Sequence, residues 1–527
     1  MSATSLLFLA LSLLPQDQAQ PARRGDFDVL IVGGSVHDGT GAKATRADVA
    51  IKGDRIAAIG DLAERTATLR IDASGMVVCP GFIDLHNHGD KIILTKTRRQ
   101  NLCYITQGCT TIVTGNCGGG KRDVGSYFRQ LAKQGCGVNV AHLIPQGSVR
   151  QSAMGGSFNR PPTDIELLKM KEIVNAGMEA GAFGMSTGLI YTPSGYAKTG
   201  ELIQLAKVVA GHAGIYASHI RDEGDELLAA VKEAIQIGES AGCPVHISHF
   251  KASKPPNWGK VRKSCALVEE ARARGRRVTC DQYPYRASST SLAALTIPTW
   301  AREGSNKDLV ERFDDDDTGP KIRAAILESL KQRGGADQIL IASYSKNKDW
   351  NGLNLKEAAA RAKQDPTDLI VDIQRNGGCS AVAFSMCDED VEYVMAKPYV
   401  ATASDGSSKI KGPTRPHPRS YGTFPRKIGH YAIGRKVIGL GLAIRSCSGL
   451  PADILGLEDR GYLRKGAFAD VVVFDPKRFR DKATFVDPHQ HSEGCVWVFV
   501  NGVAAIKDGK TTGSMSGRVV RHPKKAK

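Results

Sequence analysis

The sequence predicts an α/β protein whose central part is a (β/α)8 barrel of the TIM type. Through the middle of the 527-residue chain, short β-like runs that end in polar residues alternate with helical stretches. The first seven candidate strand ends follow one another after 29 to 40 residues, and a βα unit needs roughly 30. The eight candidate ends lie near His86, Cys117, Gln146, Ser186, His219, His249, Asp281 and Asp405.

The interval between the last two strand ends is much longer than one βα unit. Asp281 and Asp405 are 124 residues apart, which is about 90 more than a unit requires. We therefore expect an inserted subdomain between strands seven and eight, at approximately 287–378.

The two ends of the chain carry strand patterns of their own. Alternating residues predict strands at 28–32, 48–52 and 55–59 near the start, and at 470–474, 496–500 and 503–506 near the end. Asn501-Gly502 is a strong hairpin signal between the last two. We expect both ends to form one composite β-sandwich, from 26–79 and 450–515, beside a barrel that spans 80–449.

The first residues contain an apolar run at 6–14 that is too short for the roughly 20 residues of a membrane-spanning helix. It resembles the apolar part of a signal peptide, which we place at 1–22. The prediction is export to the periplasm or cell envelope if this segment is a signal peptide, and a cytoplasmic protein otherwise. No membrane span is expected.

The chain is basic, with 71 Lys and Arg against 54 Asp and Glu and a net charge of +17. Part of the excess lies in a basic tail at 516–527 and part in the arginine cluster at 272–277. Neither is interleaved with aromatic residues, so we expect no nucleic-acid partner. The sequence leaves the oligomeric state open, and a monomer is compatible with it.

Metal-binding side chains follow several of the predicted strands. His86 and His88 are two residues apart and can point the same way from one strand, and Cys117 is flanked by glycines. His219 and His249 follow strands five and six, and Asp405 follows strand eight. The carboxyl ends of barrel strands meet at one face, so these residues predict a shared metal site. Imidazole, thiolate and carboxylate together favour zinc.

At these residues the sequence resembles the amidohydrolase superfamily, and more closely its D-aminoacylase (N-acyl-D-amino-acid deacylase) family. The resemblance covers nearly the whole chain after the predicted leader. It is carried by PGFIDLHNHGD (80–90), QGCTTIVTGNCG (107–118), GAFGMSTGLIYTP (181–193), SHIRDEGDE (218–226), HISHFK (246–251), DQYPY (281–285), ASDGS (403–407) and HPRSYGTFPR (417–426).

The resemblance implies a tightly bound zinc on Cys117, His219 and His249. It also implies a weaker second metal position on His86, His88, Cys117 and Asp405. In this family the cysteine replaces the carboxylated lysine of hydantoinases, and the fourth strand here reads GMST at 184–187, without a lysine.

The implied activity is hydrolysis of a linear amide, which converts an N-acyl-D-amino acid into a carboxylate and a free D-amino acid. A metal-activated water is the expected nucleophile, and Asp405 the expected general base and then general acid. Two alternatives remain at this point: a cyclic amidase of the hydantoinase or dihydropyrimidinase type, and a non-catalytic basic binding protein on the same scaffold.

The substrate contacts are predicted less directly. Lys251 is the first candidate for the cation that binds the α-carboxylate, and Arg419 is the second. Tyr191, Tyr283 and Ser289 resemble substrate-contacting positions, and Met386 is a candidate wall for the side chain. The sequence leaves open whether the preferred D-amino acid is neutral, acidic or aromatic, because pocket residues come from loops without a spacing rule.

Overall fold

The structure is a computed structural model that describes residues 25–523. The predicted signal peptide and the last four residues of the predicted basic tail lie outside the described residues. Within 25–523, no helix is both long and apolar enough to span a membrane.

The described chain alternates strands and helices over its central part. The strands are β1 (Phe27–Val36), β2 (Thr45–Lys52), β3 (Arg55–Gly60), β4 (Ala67–Asp72), β5 (Val77–Pro80), β6 (Phe82–Asp84), β7 (Cys109–Thr114), β8 (Asn139–His142), β9 (Ile144–Pro145), β10 (Gly184–Gly188), β11 (Ile215–His219), β12 (Val245–Ile247), β13 (Val278–Gln282), β14 (Ala287–Ser291), β15 (Ile339–Ser343), β16 (Ser380–Phe384), β17 (Val400–Thr402), β18 (Val471–Phe474), β19 (Cys495–Val500), β20 (Val503–Lys507) and β21 (Lys510–Thr511).

Most helices lie between the parallel strands or in the insertion. They are α1 (Leu102–Ile105), α2 (Val124–Gln134), α3 (Gln146–Met154), α4 (Asp164–Glu179), α5 (Thr199–Gly211), α6 (Leu227–Ala241), α7 (Val261–Ala273), α8 (Leu292–Thr296), α9 (Asn306–Asp314), α10 (Thr318–Gln332), α11 (Leu355–Ala362), α12 (Pro366–Arg375), α13 (Asp388–Met395), α14 (Arg419–Pro425), α15 (Leu440–Cys447) and α16 (Gly449–Leu455).

The central strands form the predicted barrel. Parallel pairing runs β6–β7–β8 and β9–β10–β11–β12–β13–β17, and a single residue, Leu143, separates β8 from β9. Beyond the first and last strands, the Asp405 N–H donates to the His86 carbonyl at 2.8 Å and the His88 N–H donates to the Gly406 carbonyl at 2.7 Å. The (β/α)8 prediction is confirmed, and its strands are buried on both faces, as parallel strands between helices should be.

Strands from both ends of the chain join one nine-stranded sheet. Its order is β21–β20–β19–β18–β5–β1–β2–β3, and β4 pairs with β1. The two ends meet where β18 pairs antiparallel with β5. Apolar side chains from both ends, including Val49, Ile51, Val471 and Phe499, share one core, so the composite β unit is confirmed.

The long interval between β13 and β17 contains an inserted subdomain with its own core. β14, β16 and β15 form an antiparallel sheet, and α8 to α12 pack beside it around Ile322, Ile341 and Leu369. The third strand, β16, lies after residue 378, so the inserted sheet extends past the predicted limit. At the other predicted limit, α16 packs Leu450 and Leu455 against barrel residues such as Ile83. The domain limits themselves stay predictions.

The predicted basic tail is bound to the barrel over its first part. The Val140 N–H donates to the Arg518 carbonyl, and the Val520 N–H donates to the Val140 carbonyl, both at 2.9 Å. A Cβ at Gly517 would lie 2.0 Å from the Val138 carbonyl oxygen, so only glycine permits this approach. Residues 516–522 therefore act as an extra backbone partner of β8, which charge alone could not indicate.

Candidate metal centre

All six predicted metal ligands come together at the carboxyl ends of the barrel strands. The ligand atoms of His86, His88, Cys117 and Asp405 lie within 4.8 Å of one another, and so do those of Cys117, His219 and His249. These are the two sets that the sequence predicts, and they share Cys117. The side chains come from loops after five different strands, which is where barrel enzymes place their chemistry.

The set of Cys117, His219 and His249 has the spacing of a zinc site. Cys117 Sγ lies 3.5 Å from His219 Nδ1 and 3.7 Å from His249 Nε2. A tetrahedral zinc with ordinary bond lengths separates sulfur from nitrogen by about 3.6 Å. The two imidazole nitrogens are 2.8 Å apart, shorter than the roughly 3.3 Å of the same geometry. Ligand type and sulfur distances fit zinc, with one protein-free position left for water or substrate.

The second set lies on the other side of Cys117. His86 Nε2 is 3.1 Å from Cys117 Sγ and 3.4 Å from Asp405 Oδ1. His88 Nε2 is 2.9 Å from the same carboxylate oxygen. Two imidazoles, a thiolate and a carboxylate could hold a second divalent ion.

Three of the candidate ligands have left-handed backbone conformations. Cys117, His249 and Asp405 have φ values of 51°, 37° and 49°, which non-glycine residues rarely adopt and which cost free energy unless neighbours fix them. The loop of Cys117 is held by Ser186 on the fourth strand, whose hydroxyl donates to the Gly115 carbonyl at 2.5 Å. Ser186 thus supports the cysteine loop from the fourth barrel strand.

The charges around the site favour the ionised forms of the Cys117 and Asp405 side chains. Burial alone would raise the pKa of the Cys117 thiol, but the neighbouring His86 and hydrogen bonds from His219 and His249 hold that pKa well below its usual value. Burial would also raise the pKa of Asp405, and the Arg419 guanidinium 2.8 Å away lowers it well below its usual range. Thiolate and carboxylate are the forms that bind metal.

Two carboxylates that the sequence reasoning left without a role position the histidines. Asp281 Oδ1 accepts from the His249 N–H at 2.7 Å, and Asp281 Oδ2 lies 3.3 Å from His86 Nδ1 and 2.9 Å from His246 Nε2. Glu223 Oε1 lies 2.7 Å from His249 Nδ1. A carboxylate behind a metal-bound imidazole fixes its tautomer and orientation. Both residues stand inside the motifs at 218–226 and 281–285, which were the available signal.

The two predicted carboxylate-binding cations are both ion-paired within the protein. Lys251 Nζ lies 2.5 Å from Glu223 Oε1 and donates to the His249 carbonyl at 2.9 Å. Arg419 pairs with Asp405 and also donates to the Ser289 carbonyl at 3.1 Å. Lys251 still lines the cavity beside the metal centre. Their assignment to the substrate stays a prediction.

The other predicted contacts divide into three that reach the site and one that does not. Tyr191 packs its ring against His219 with centroids 5.0 Å apart, and Ser289 lines the cavity. The Tyr283 hydroxyl is buried and has no hydrogen-bond partner within the described chain. Met386 is buried in the main core and is absent from the cavity walls described next.

Two larger cavities flank the metal centre, and a third, of about 290 Å³, has His88, Asp405 and Arg419 in its wall. The first, of about 320 Å³, is lined by His219, His249 and Asp405 together with Lys251 and Tyr283. The second, of about 570 Å³, is lined by His88, Cys117 and the glycines at 118–120. Tyr191, Ser289, Thr290 and Asp405 contribute to both. The metal centre is therefore open to solvent-sized molecules from two sides.

The barrel and its histidine, cysteine and aspartate cluster define a metal-dependent amidohydrolase. The model of the amidohydrolase family matches residues 70–506, and the chain belongs to this family. Within it the chain belongs to the D-aminoacylase (N-acyl-D-amino-acid deacylase) family, as the relatives below show.

The relatives match almost from end to end. The chain is 35% identical to a D-aminoacylase of Alcaligenes xylosoxydans xylosoxydans, with 96% of this chain and 99% of the relative covered. It is also 35% identical to an N-acyl-D-glutamate deacylase of the same organism, with 94% and 96% covered. A crystal structure of N-acyl-D-glutamate deacylase from Bordetella bronchiseptica, complexed with zinc and a phosphonate inhibitor, is 34% identical and has a TM-score of 0.80, with 94% of this chain and 99% of that one covered.

Proposed function

We propose that this chain is a zinc-dependent hydrolase that cleaves the amide bond of N-acyl-D-amino acids and releases a carboxylate and a free D-amino acid. One observation carries the proposal: Cys117 stands between two complete donor sets at the barrel mouth. Ser186 occupies the strand on which a cyclic amidase of this superfamily would need a lysine. The ligand set also argues against a non-catalytic scaffold, which would need none of these residues.

Cys117, His219 and His249 would hold the tightly bound zinc, and His86, His88 and Asp405 would offer, with Cys117, a weaker second position. Zinc, when bound, acts as a Lewis acid and makes attack by water on an amide carbonyl feasible near neutral pH. Asp281 and Glu223 hold His249 in place through its backbone N–H and its Nδ1 atom.

Asp405 is positioned to move the proton of the reaction. Its Oδ1 atom is held by His88 and its Oδ2 atom by Arg419, at 2.9 and 2.8 Å. With its pKa held low, the carboxylate is ionised at neutral pH and can accept the proton of the attacking water. It can then donate that proton to the departing amine nitrogen, as a general base that becomes a general acid.

Tyr283 and Lys251 are proposed to receive the polar groups of the substrate. The Tyr283 hydroxyl is buried and has no hydrogen-bond partner among residues 25–523, and such groups are costly unless a ligand satisfies them. Lys251 lies on the same cavity wall and places a positive charge beside the metal centre, where the α-carboxylate of an N-acyl amino acid would sit.

The test is hydrolysis by purified, zinc-loaded protein. We expect about one tightly held zinc per chain, release of acetate from N-acetyl-D-methionine or N-acetyl-D-glutamate, and no turnover of the matching L-isomers. Equal rates on both enantiomers would contradict the stereospecific part of the proposal. Activity on hydantoins alone would favour the cyclic amidase.

Export is proposed on the apolar run at 6–14 alone. Amino-terminal sequencing of the protein from its native cell should start near residue 23 if the leader is cleaved, and at residue 1 or 2 if the protein stays in the cytoplasm.

A further inference from the structure

We propose that the preferred substrate carries a second carboxylate, on the side chain of an acidic D-amino acid, and that Arg302 and Arg333 bind it. This inference rests on the proposed deacylase function and names its substrate class. The two arginines come from the inserted subdomain, at the ends of the 3-10 turn Thr299–Arg302 and of helix α10.

Both arginines line the 320 Å³ cavity that also contains His219, His249 and Asp405. The cavity therefore connects the inserted subdomain to the metal centre. A ligand that places its amide at the metal donors can direct its side chain to these guanidinium groups.

Arg333 is buried, with 8% of its surface exposed. One of its terminal nitrogens donates to the Leu295 carbonyl at 3.1 Å and the other to the Ser385 hydroxyl at 3.4 Å, while its Nε atom has no partner in the described chain. Burial lowers the pKa of Arg333 to about 10, so it remains charged at neutral pH.

Arg302 is half-buried, and its described hydrogen bonds come from one terminal nitrogen. It donates to the Ile190 carbonyl at 2.9 Å and to the Thr299 hydroxyl at 3.0 Å. Its Nε atom is buried and also lacks a partner among residues 25–523. Every hydrogen-bond acceptor described for Arg302 and Arg333 is neutral, and the Glu223 carboxylate, which raises the pKa of Arg333, lies outside ion-pair distance of it.

The other cations of this cavity show the contrast. Lys251 pairs with Glu223, Arg221 lies 2.8 Å from Glu233, and Lys254 lies 3.7 Å from Asp225. Within the described residues, Arg302 and Arg333 have no carboxylate within ion-pair distance. Asp222, which also lines the cavity, accepts from the backbone N–H groups of Gly224 and Glu226 at 2.6 and 3.2 Å.

Two unpaired guanidinium groups in one partly closed cavity are costly unless an anion joins them. Guanidinium groups bind carboxylates with two parallel hydrogen bonds, so the missing partner has the chemistry of a carboxylate.

The position of the two arginines indicates which half of the substrate carries the second carboxylate. Lys251 and Tyr283, the proposed partners of the substrate's polar groups, line the same cavity as Arg302 and Arg333. The second cavity has glycines, Thr192 and Pro193 in its wall, and its cation, Lys91, stands beside Asp90, so this side suits an uncharged acyl group better than the side with two arginines. The amino-acid half, with its α-carboxylate and side chain, therefore belongs on the arginine side.

Overall similarity does not decide this point. The chain is equally identical, at 35%, to a D-aminoacylase and to an N-acyl-D-glutamate deacylase. The cavity wall distinguishes the two substrate classes where sequence identity does not.

The experiment compares zinc-loaded protein on N-acetyl-D-glutamate and on N-acetyl-D-glutamine, which has nearly the same shape without the charge. We expect a kcat/KM ratio of at least ten in favour of glutamate. In Arg333→Gln and in Arg302→Gln we expect this ratio to fall at least fivefold. Arg323→Gln is the matched control, because Arg323 lies on the same helix α10, pairs with Asp368 and is not part of the cavity wall; it should keep the wild-type ratio.

A ratio near one in the wild-type protein would overturn the inference, and so would a high ratio that survives both substitutions. N-succinyl-D-glutamine against N-acetyl-D-glutamine tests the other source of a second carboxylate. If the succinyl compound is preferred and loses that preference in Arg333→Gln, the assignment to the amino-acid side chain is wrong. Should Arg333→Gln not fold, Arg333→Lys and Arg302→Gln decide: lysine should retain part of the preference and glutamine should lose it.

The failure of the inference differs from the failure of the proposed function. Hydrolysis of N-acetyl-D-methionine, D-glutamine and D-glutamate derivatives at equal kcat/KM would refute the acidic preference and leave the deacylase proposal intact. Zinc-loaded protein that hydrolyses none of them would refute both.

Discussion

Asp281 supports two candidate metal ligands at once, so Asp281→Asn perturbs the metal centre without touching a ligand atom. Its Oδ1 atom accepts from the His249 N–H at 2.7 Å, and its Oδ2 atom faces His86 Nδ1 at 3.3 Å and His246 Nε2 at 2.9 Å. Asparagine keeps one acceptor oxygen and replaces the other with an N–H₂ donor. The amide can therefore accept a hydrogen bond either from the His249 N–H or from the histidine rings, but it presents a donor to the other.

The two orientations of the amide have different costs. If the amide nitrogen faces the histidines, His86 must accept on Nδ1, and its proton then moves to Nε2, the atom that faces Cys117 and the metal position. If the nitrogen faces the His249 N–H, two donors meet at a residue whose φ is 37°. The first orientation places a proton on the His86 nitrogen that faces the metal position, and the second leaves the buried His249 N–H without an acceptor, which costs about 1–3 kcal/mol. Loss of such a supporting group lowers metal affinity or activity by roughly 10- to 100-fold.

The assay measures zinc bound at buffered free-zinc concentrations together with kcat/KM on the best substrate. We expect at least one of the two to fall at least tenfold in Asp281→Asn. Asp470→Asn is the control, because Asp470 is equally buried and pairs with Arg460 but contacts no candidate ligand. Unchanged zinc affinity and kcat/KM, within threefold, would refute the reasoning that Asp281 positions the ligands.

Three further substitutions test other parts of the site and fold. Cys117→Ala should lose bound zinc because both donor sets share this thiolate, whereas Asp405→Asn should retain zinc on the first set and lose turnover. Metal analysis together with a rate assay distinguishes the two variants. An active Cys117→Ala protein would contradict the assignment of Cys117 as a ligand. Gly188→Ala should lower the free energy of unfolding by about 1–3 kcal/mol, because its Cβ would lie 2.1 Å from the Cys117 carbonyl oxygen. A denaturation midpoint equal to that of the wild-type protein would show that the loop carrying Cys117 moves freely. Glu201→Gln should lower the free energy of unfolding by about 3–5 kcal/mol, because it leaves the buried Arg150 charge, 3.0 Å away, without its anion. A loss under 1 kcal/mol in denaturant unfolding would contradict this expectation.

The convergence of the candidate metal ligands could be predicted from the sequence because strand spacing determines where they lie. Polar residues lie at or just after the ends of most barrel strands, and the carboxyl ends of parallel strands meet at one face, so His86, Cys117, His219, His249 and Asp405 were expected to converge once the strands were placed. Their left-handed backbone conformations at Cys117, His249 and Asp405 carry no comparable signal, since none is a glycine.

The supporting contacts could not be read from spacing. Glu223 reaches His249 across a loop, and the interaction depends on how that loop folds over the barrel mouth. The bound part of the tail is similar, because the pairing of Arg518 and Val520 with Val140 depends on Gly517 and not on net charge. Met386 is buried in the main core, and its assignment to the wall of the substrate pocket stays a prediction.

The division between barrel and insertion explains why the candidate metal donors could be predicted from the sequence and the two cavity arginines could not. The barrel strands place the metal donors, and their register is set by core packing that leaves a visible pattern. Arg302 and Arg333 reach the same cavity from elements whose path over the barrel mouth has no periodic signal, and their role is proposed from the absence of a carboxylate within ion-pair distance among the described residues. Since the two arginines contact no metal donor, their replacement should change the choice between charged and neutral substrates without altering the zinc content. Reaction chemistry and substrate choice are then separate properties of one cavity, supplied by different parts of the chain.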